Sequence, residues 1–102
     1  MIRPVIFSKN LENQLEAEIY AVSDWEGFDK LIGFIVREYQ AEILKKCDGP
    51  DARRCILSVL DCQIELIHDD MFGNYILSPT TESEDVVKKI GLELERRLSD
   101  VN

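Results

Sequence analysis

Three kinds of residue are scarce in this chain of 102 residues, and each scarcity removes a class of function. Histidine occurs once, at His68, and cysteine three times, at Cys47, Cys55 and Cys62. An odd number of thiols, with seven and six residues between them, matches neither a disulfide framework nor the close paired spacing of a zinc site. Small buried or half-buried thiols in a reducing compartment are the expectation. The five glycines are scattered, so no Gly-rich loop is available to cradle a phosphate. Long apolar runs are also missing. The longest, Leu31 to Val36, falls far short of the ~20 residues that span a bilayer. The opening MIRPVIFSKN lacks the extended apolar region of a signal peptide, and a cytoplasmic location is expected.

Positive charge is absent where negative charge is densest. The net charge of −8 divides into −2 for residues 1–60, −7 for residues 61–85 and +1 for residues 86–102. The middle segment holds Asp61, Glu65, Asp69, Asp70, Glu82, Glu84 and Asp85 and no Lys or Arg. Such a field repels nucleic acid and anionic membranes, and it raises the on-rate for a basic partner by ~10–1000-fold. Neither nucleic acid nor a membrane is therefore expected as a partner. What remains is 45% hydrophobic and 31% charged, the balance of an ordinary globule. At this length the chain is one domain, residues 1–102, able to bury roughly 65% of its unfolded surface.

The stretch from Arg54 to Pro79 carries most of the strand-like alternation. Cys55, Leu57 and Val59 point one way and Ile56, Ser58 and Leu60 the other, because successive strand side chains alternate faces. Alternation resumes at Ile64 and Leu66 after Asp61-Cys62, which reads as a two-residue turn or as a bulge within one strand. Gly73 and Asn74 tolerate positive φ and fit a reversal before a short strand at Tyr75-Ile76-Leu77. The economical reading is an antiparallel meander.

Earlier in the chain, Val5-Ile6-Phe7 and the alternating Leu15–Ala21 read as two strands. Ser23-Asp24-Trp25-Glu26 is a capping-box pattern, followed by Phe28, Leu31, Ile32, Ile35 and Tyr39 on one helical face. Trp25 and Phe34 fall off that stripe, at the boundary of the core, and Gly33 offers a close approach of helix to sheet. Ala41–Cys47 reads as a strand and Asp48-Gly49-Pro50-Asp51 as a turn, with Lys45, Lys46, Arg53 and Arg54 around it. Those four cations form a solvated hairpin tip or, alternatively, an anion site. Thr81-Glu82-Ser83-Glu84 is a second capping box, and Val87, Ile90, Leu94 and Leu98 form the apolar stripe of a last helix. The order β-β-α-β-β-β-β-α predicts an α+β two-layer sandwich, a mainly antiparallel sheet with both helices on one face.

Chemistry has few candidates. His68-Asp69-Asp70 with Glu65 could offer oxygen and imidazole ligands to Mn²⁺ or Mg²⁺, but along a strand Asp69 faces away from the other two. Cys55 or Cys62 could approach His68 across strands as a nucleophile pair, with no recognisable oxyanion loop in support. Asp69 and Asp70 sit at a hairpin tip, where solvent leaves paired carboxylates without the perturbation that hydrolysis needs. No catalytic residue, metal or cofactor is assigned. The tip itself combines Asp69 and Asp70 with Met71 and Phe72, apolar anchors ringed by charge, the anatomy of a protein interface. The opposing expectation is that Met71 and Phe72 fold inward as a lid on the core.

In size, charge and the strand–DDMFGN–strand passage of residues 62–78 before a final helix, the chain resembles the small acidic immunity proteins of bacterial contact-dependent inhibition and other polymorphic toxin systems. The resemblance implies stoichiometric inhibition: docking onto a basic toxin, commonly a nuclease domain, and covering its active site. On that reading Asp61, Glu65, Asp69, Asp70, Met71 and Phe72 supply the contacts, and Glu82, Glu84 and Asp85 extend them. The alternative is a non-catalytic regulatory or adaptor domain, monomeric or homodimeric, that pairs through a sheet edge or the Trp25/Phe34 side of the first helix.

Overall fold

The computed structural model describes residues 3–99. Six strands, β1 (Val5–Lys9), β2 (Leu15–Ile19), β3 (Glu42–Asp48), β4 (Ala52–Val59), β5 (Cys62–Asp69) and β6 (Gly73–Leu77), form one antiparallel sheet in the order β1-β2-β6-β5-β4-β3. Helix α1 (Trp25–Tyr39) joins β2 to β3, and α2 (Glu84–Ser99) follows β6 after one 3-10 turn at Thr81–Ser83. This is the expected α+β order, with both helices over one face of the sheet. Strands β3 to β6 run as hairpins, and β6 then pairs with β2, placing the last strand in the middle of the sheet.

Alternation decides which face is covered. Leu15, Ala17 and Ile19 on β2, Cys55, Leu57 and Val59 on β4, Ile64 and Leu66 on β5, and Ile76 on β6 are buried under the helices. Phe28, Leu31, Ile32 and Ile35 descend from α1, and Val87, Ile90 and Leu94 from α2. Helix α1 lies against β5 and β6, and α2 against β1 and β2. The close approach occurs at Gly91, not at Gly33. A Cβ on Gly91 would stand 2.6 Å from the Phe7 ring, whereas Gly33 is exposed with nothing within 4 Å.

Several local expectations shift by one residue. The N-cap of α1 is Asp24, not Ser23: its Oδ1 accepts from the Gly27 N–H at 2.9 Å. Carboxylates cap as well as hydroxyls, so adjacent Ser and Asp compete for the role. The box before α2 is formed by Thr80 and Ser83 around the 3-10 turn, one residue ahead of the expected Thr81. The β4–β5 turn is Leu60-Asp61, with φ of 51° and 66°, and Cys62 already belongs to β5 opposite Val59. Two positive φ values fit the right-handed twist of the flanking strands, which overrides the poor turn chemistry of leucine. Phe34, in the interior of α1, is buried, and Trp25 at its start is 39% exposed.

Candidate functional site

The acidic segment does not form one surface. Asp61 turns the β4–β5 hairpin, and eight residues of β5 carry the chain to the β5–β6 turn at the other end, about 25 Å away. The Cys62 thiol lies 3.7 Å from the Glu82 carbonyl, so the start of the last helical region stands beside Asp61. Asp61, Glu82 and Asp85 therefore belong to one end of the sheet, and Asp69, Asp70, Met71 and Phe72 to the other. Glu84 is paired with Lys9 at 2.7 Å, which holds its carboxyl below the usual range. Glu65 projects from the middle of β5 onto the uncovered sheet face, where Arg54 engages it at 2.6 Å. The acidic residues of 61–85 thus divide between two ends of the sheet, with Glu65 and Glu84 paired internally.

The β5–β6 end is the better developed of the two. Met71 and Phe72 are 84% and 66% exposed, so they do not cover the core. Their backbone N–H groups both donate to Asp69 Oδ1, at 2.8 and 3.3 Å, which fixes the turn from below. Asp70 N–H donates to the Asp51 carbonyl, bringing the β3–β4 turn alongside. Asn74 donates its amide to the carbonyls of Val22 and Asp24, at 2.8 and 3.1 Å, and so holds the start of α1 against the same turn. Gly73 sits at φ +80° with Ser23 only 2.9 Å from where a Cβ would be, so contact and conformation both call for glycine. This packing adds Asp24, Trp25, Glu26 and Asp51, all exposed, to the expected tip residues. Sequence reasoning does not group them with the tip because residues 24–26 and Asp51 lie in two separate segments, which the fold draws together.

His68 lies beneath this end, buried, with Nδ1 at 2.8 Å from Asn74 Oδ1 and Nε2 at 3.1 Å from Asp70 Oδ1. Its ring meets Trp25 edge to face at 5.4 Å. Both nitrogens are thus engaged by side chains other than a thiol. Cys55 is buried on β4, which pushes its thiol pKa up, and Cys62 stands at the opposite end of β5. Among the described residues no three His, Cys, Asp or Glu side chains converge as metal ligands.

Of the cations near the β3–β4 turn, Arg53 and Lys46 are engaged by the protein's own carboxylates. Arg53 is buried, donating to Asp29 at 2.8 and 2.9 Å, to Asp48 at 3.0 Å and to the Trp25 carbonyl at 3.0 Å. Lys46 bonds Asp29 at 3.0 Å. The guanidinium and the ammonium together hold the Asp29 carboxyl down at about 2, and the carboxylates keep Arg53 charged. These contacts fasten α1 to the sheet. No described helix is long and apolar enough to cross a membrane. No protein-family model matches the chain, and no curated protein or solved structure matches it with significance.

Proposed function

We propose that this protein is a stoichiometric inhibitor of the immunity or antitoxin kind, docking its β5–β6 end onto a basic protein partner such as a toxin nuclease domain. The observation that carries the reading is the exposed Met71/Phe72 pair at a turn that holds Asp69 and Asp70 and onto which the segments carrying exposed Asp24, Trp25, Glu26 and Asp51 pack. Apolar anchors gain from desolvation, and a carboxylate rim steers and orients a cationic partner. A nuclease cleft built to hold phosphate presents the lysines and arginines that such a rim complements. Asp61, Glu82 and Asp85 at the far end lie outside this contact.

The adaptor alternative through the β3 edge is less favoured. Edge strand β3 carries a bulge between Ile43 and Lys45 and exposes Lys45 and Lys46, features that oppose strand addition. Phe34 is buried against Tyr39 and Arg97, which removes it from a docking face.

The test is binding to purified basic nuclease domains of polymorphic toxins, read by calorimetry and by loss of nuclease activity. The informative variants are Glu26→Lys with Asp51→Lys, and Met71→Ser, because Asp69 and Asp70 also hold the turn. A one-to-one complex whose association slows at least tenfold in the charge-reversed variant supports the reading. A complex indifferent to both variants, or no inhibition of any basic domain, overturns it.

A further inference from the structure

The face of the sheet away from the helices is uncovered, and its side chains form two straight rows. Cross-strand register aligns Ile6, Glu18, Tyr75, Ile67, Arg54 and Cys47 from one edge to the other. The neighbouring row is Ser8, Glu16, Leu77, Glu65, Ile56 and Lys45. Tyr75, Ile67, Leu77 and Ile56 make a half-buried apolar band across the central strands. Its β2 flank carries Glu16 and Glu18, and its β4–β3 flank carries Arg54 and Lys45. The Tyr75 hydroxyl is pushed up by burial first and then by the carboxylates of Glu16, Asp69, Glu65 and Glu18.

Charge of opposite sign on the two flanks makes the face complementary to itself. We infer that this face is a homodimer interface, two copies stacking sheet on sheet about a two-fold axis parallel to the strands between β5 and β6. That axis exchanges left and right within each row and leaves the row unchanged. Glu18 then lies over Arg54 of the second copy, Tyr75 over Ile67, and Glu16 over Ile56 beside Lys45. An axis perpendicular to the strands would lay the Glu16/Glu18 flank over its own equivalent, and like charges oppose that. Stacked sheets keep their strands within about 30° of each other, which is the alignment the strand-parallel axis produces.

Arg54 supplies the second argument. Its side chain is 56% exposed, whereas that of its partner Glu65 is 7% exposed. Nε and Nη2 are directed at Glu65 Oε1, leaving the outer edge of the fork for another carboxylate. The Met71/Phe72 end lies at the rim of the sheet, so dimerisation and partner docking use different residues.

Sedimentation velocity over a concentration series of the full chain tests this. The wild type is expected to pass from monomer to dimer, and added salt to weaken the dimer. Glu18→Arg and Ile67→Asp should each raise the dissociation constant at least tenfold with an unchanged circular dichroism spectrum, and Met71→Ser should leave it within twofold. Ile6→Cys gives an independent reading: a thiol-reactive bismaleimide of about 10 Å reach, the spacing of stacked sheets, should join the introduced thiol to Cys47 of the second copy. A wild type that stays monomeric at millimolar concentration overturns the inference. So does a dimer that survives both face variants, one abolished by Met71→Ser, or a cross-link joining Cys47 to Cys47.

Discussion

Arg53 and Asp29 are joined by two hydrogen bonds, Nη1 to Oδ2 at 2.8 Å and Nη2 to Oδ1 at 2.9 Å, between a buried strand residue and the first turns of α1. The guanidinium carbon also stands 4.8 Å from the centre of the Trp25 ring and 4.6 Å from that of Phe28. One side chain therefore ties β4, the β3 edge through Asp48, and the start of the helix.

Replacing it separates charge from packing. Arg53→Met keeps an apolar stem against the two rings and loses the fork. Asp29 and Asp48 are half exposed and recover water, so the expected loss is about 2–3 kcal/mol, below that of a fully enclosed pair. Arg53→Lys should restore only part of it, because an ammonium cannot bond two carboxylates in plane. Urea unfolding measures both, and an Arg53→Met protein within about 0.5 kcal/mol of wild type would contradict the role.

Acid should weaken the fold within a defined window. Hydrogen bonds from Arg53 and Lys46 lower Asp29 from 3.8 to about 2, and those from Arg96 and Arg97 lower Glu93 from 4.5 to about 2. Depressed folded values mean that the unfolded chain takes up protons first. The contribution is whole above about 4.5 and is lost as pH falls towards 2. The urea midpoint should decline across that interval, and Asp29→Asn should flatten the decline. An unaltered profile in Asp29→Asn would remove this pair from the acid response.

Two glycines at helical positions should respond in opposite directions to alanine. Gly33→Ala meets open space and should stabilise by about 0.5–1 kcal/mol through helix propensity. Gly91→Ala drives a methyl into Phe7 and should destabilise by about 1–3 kcal/mol. Thermal unfolding of the two variants distinguishes them, and shifts of the same sign would disprove the packing contrast.

Those glycines also show where the sequence is legible. Alternation in β2, β4 and β5 and the stripes of α1 and α2 announce the elements, because burial on one face imposes period. Periodicity assigns no contact to a glycine, so the sequence points to Gly33 for the approach of helix to sheet that Phe7 makes at Gly91. Asp61 and Asp69 are neighbours in composition but occupy opposite ends of one strand, a separation no charge count records. Trp25, Glu26 and Asp51 are invisible as companions of Met71 and Phe72 because the bonds that gather their segments, from Asn74 to Val22 and Asp24 and from Asp70 to Asp51, join residues distant in sequence. The turn at Leu60-Asp61 differs by one residue from its expected place for a related reason: strand twist, not side-chain preference, sets its conformation.

Asn74 has a kinetic consequence. Its amide bonds to Val22 and Asp24, and its oxygen faces His68, so hairpin tip and helix start are fastened together before anything arrives. A surface preorganised in this way loses little conformational entropy on engagement. Its encounter with a partner would be governed by diffusion and long-range attraction, with no slow rearrangement of the loop.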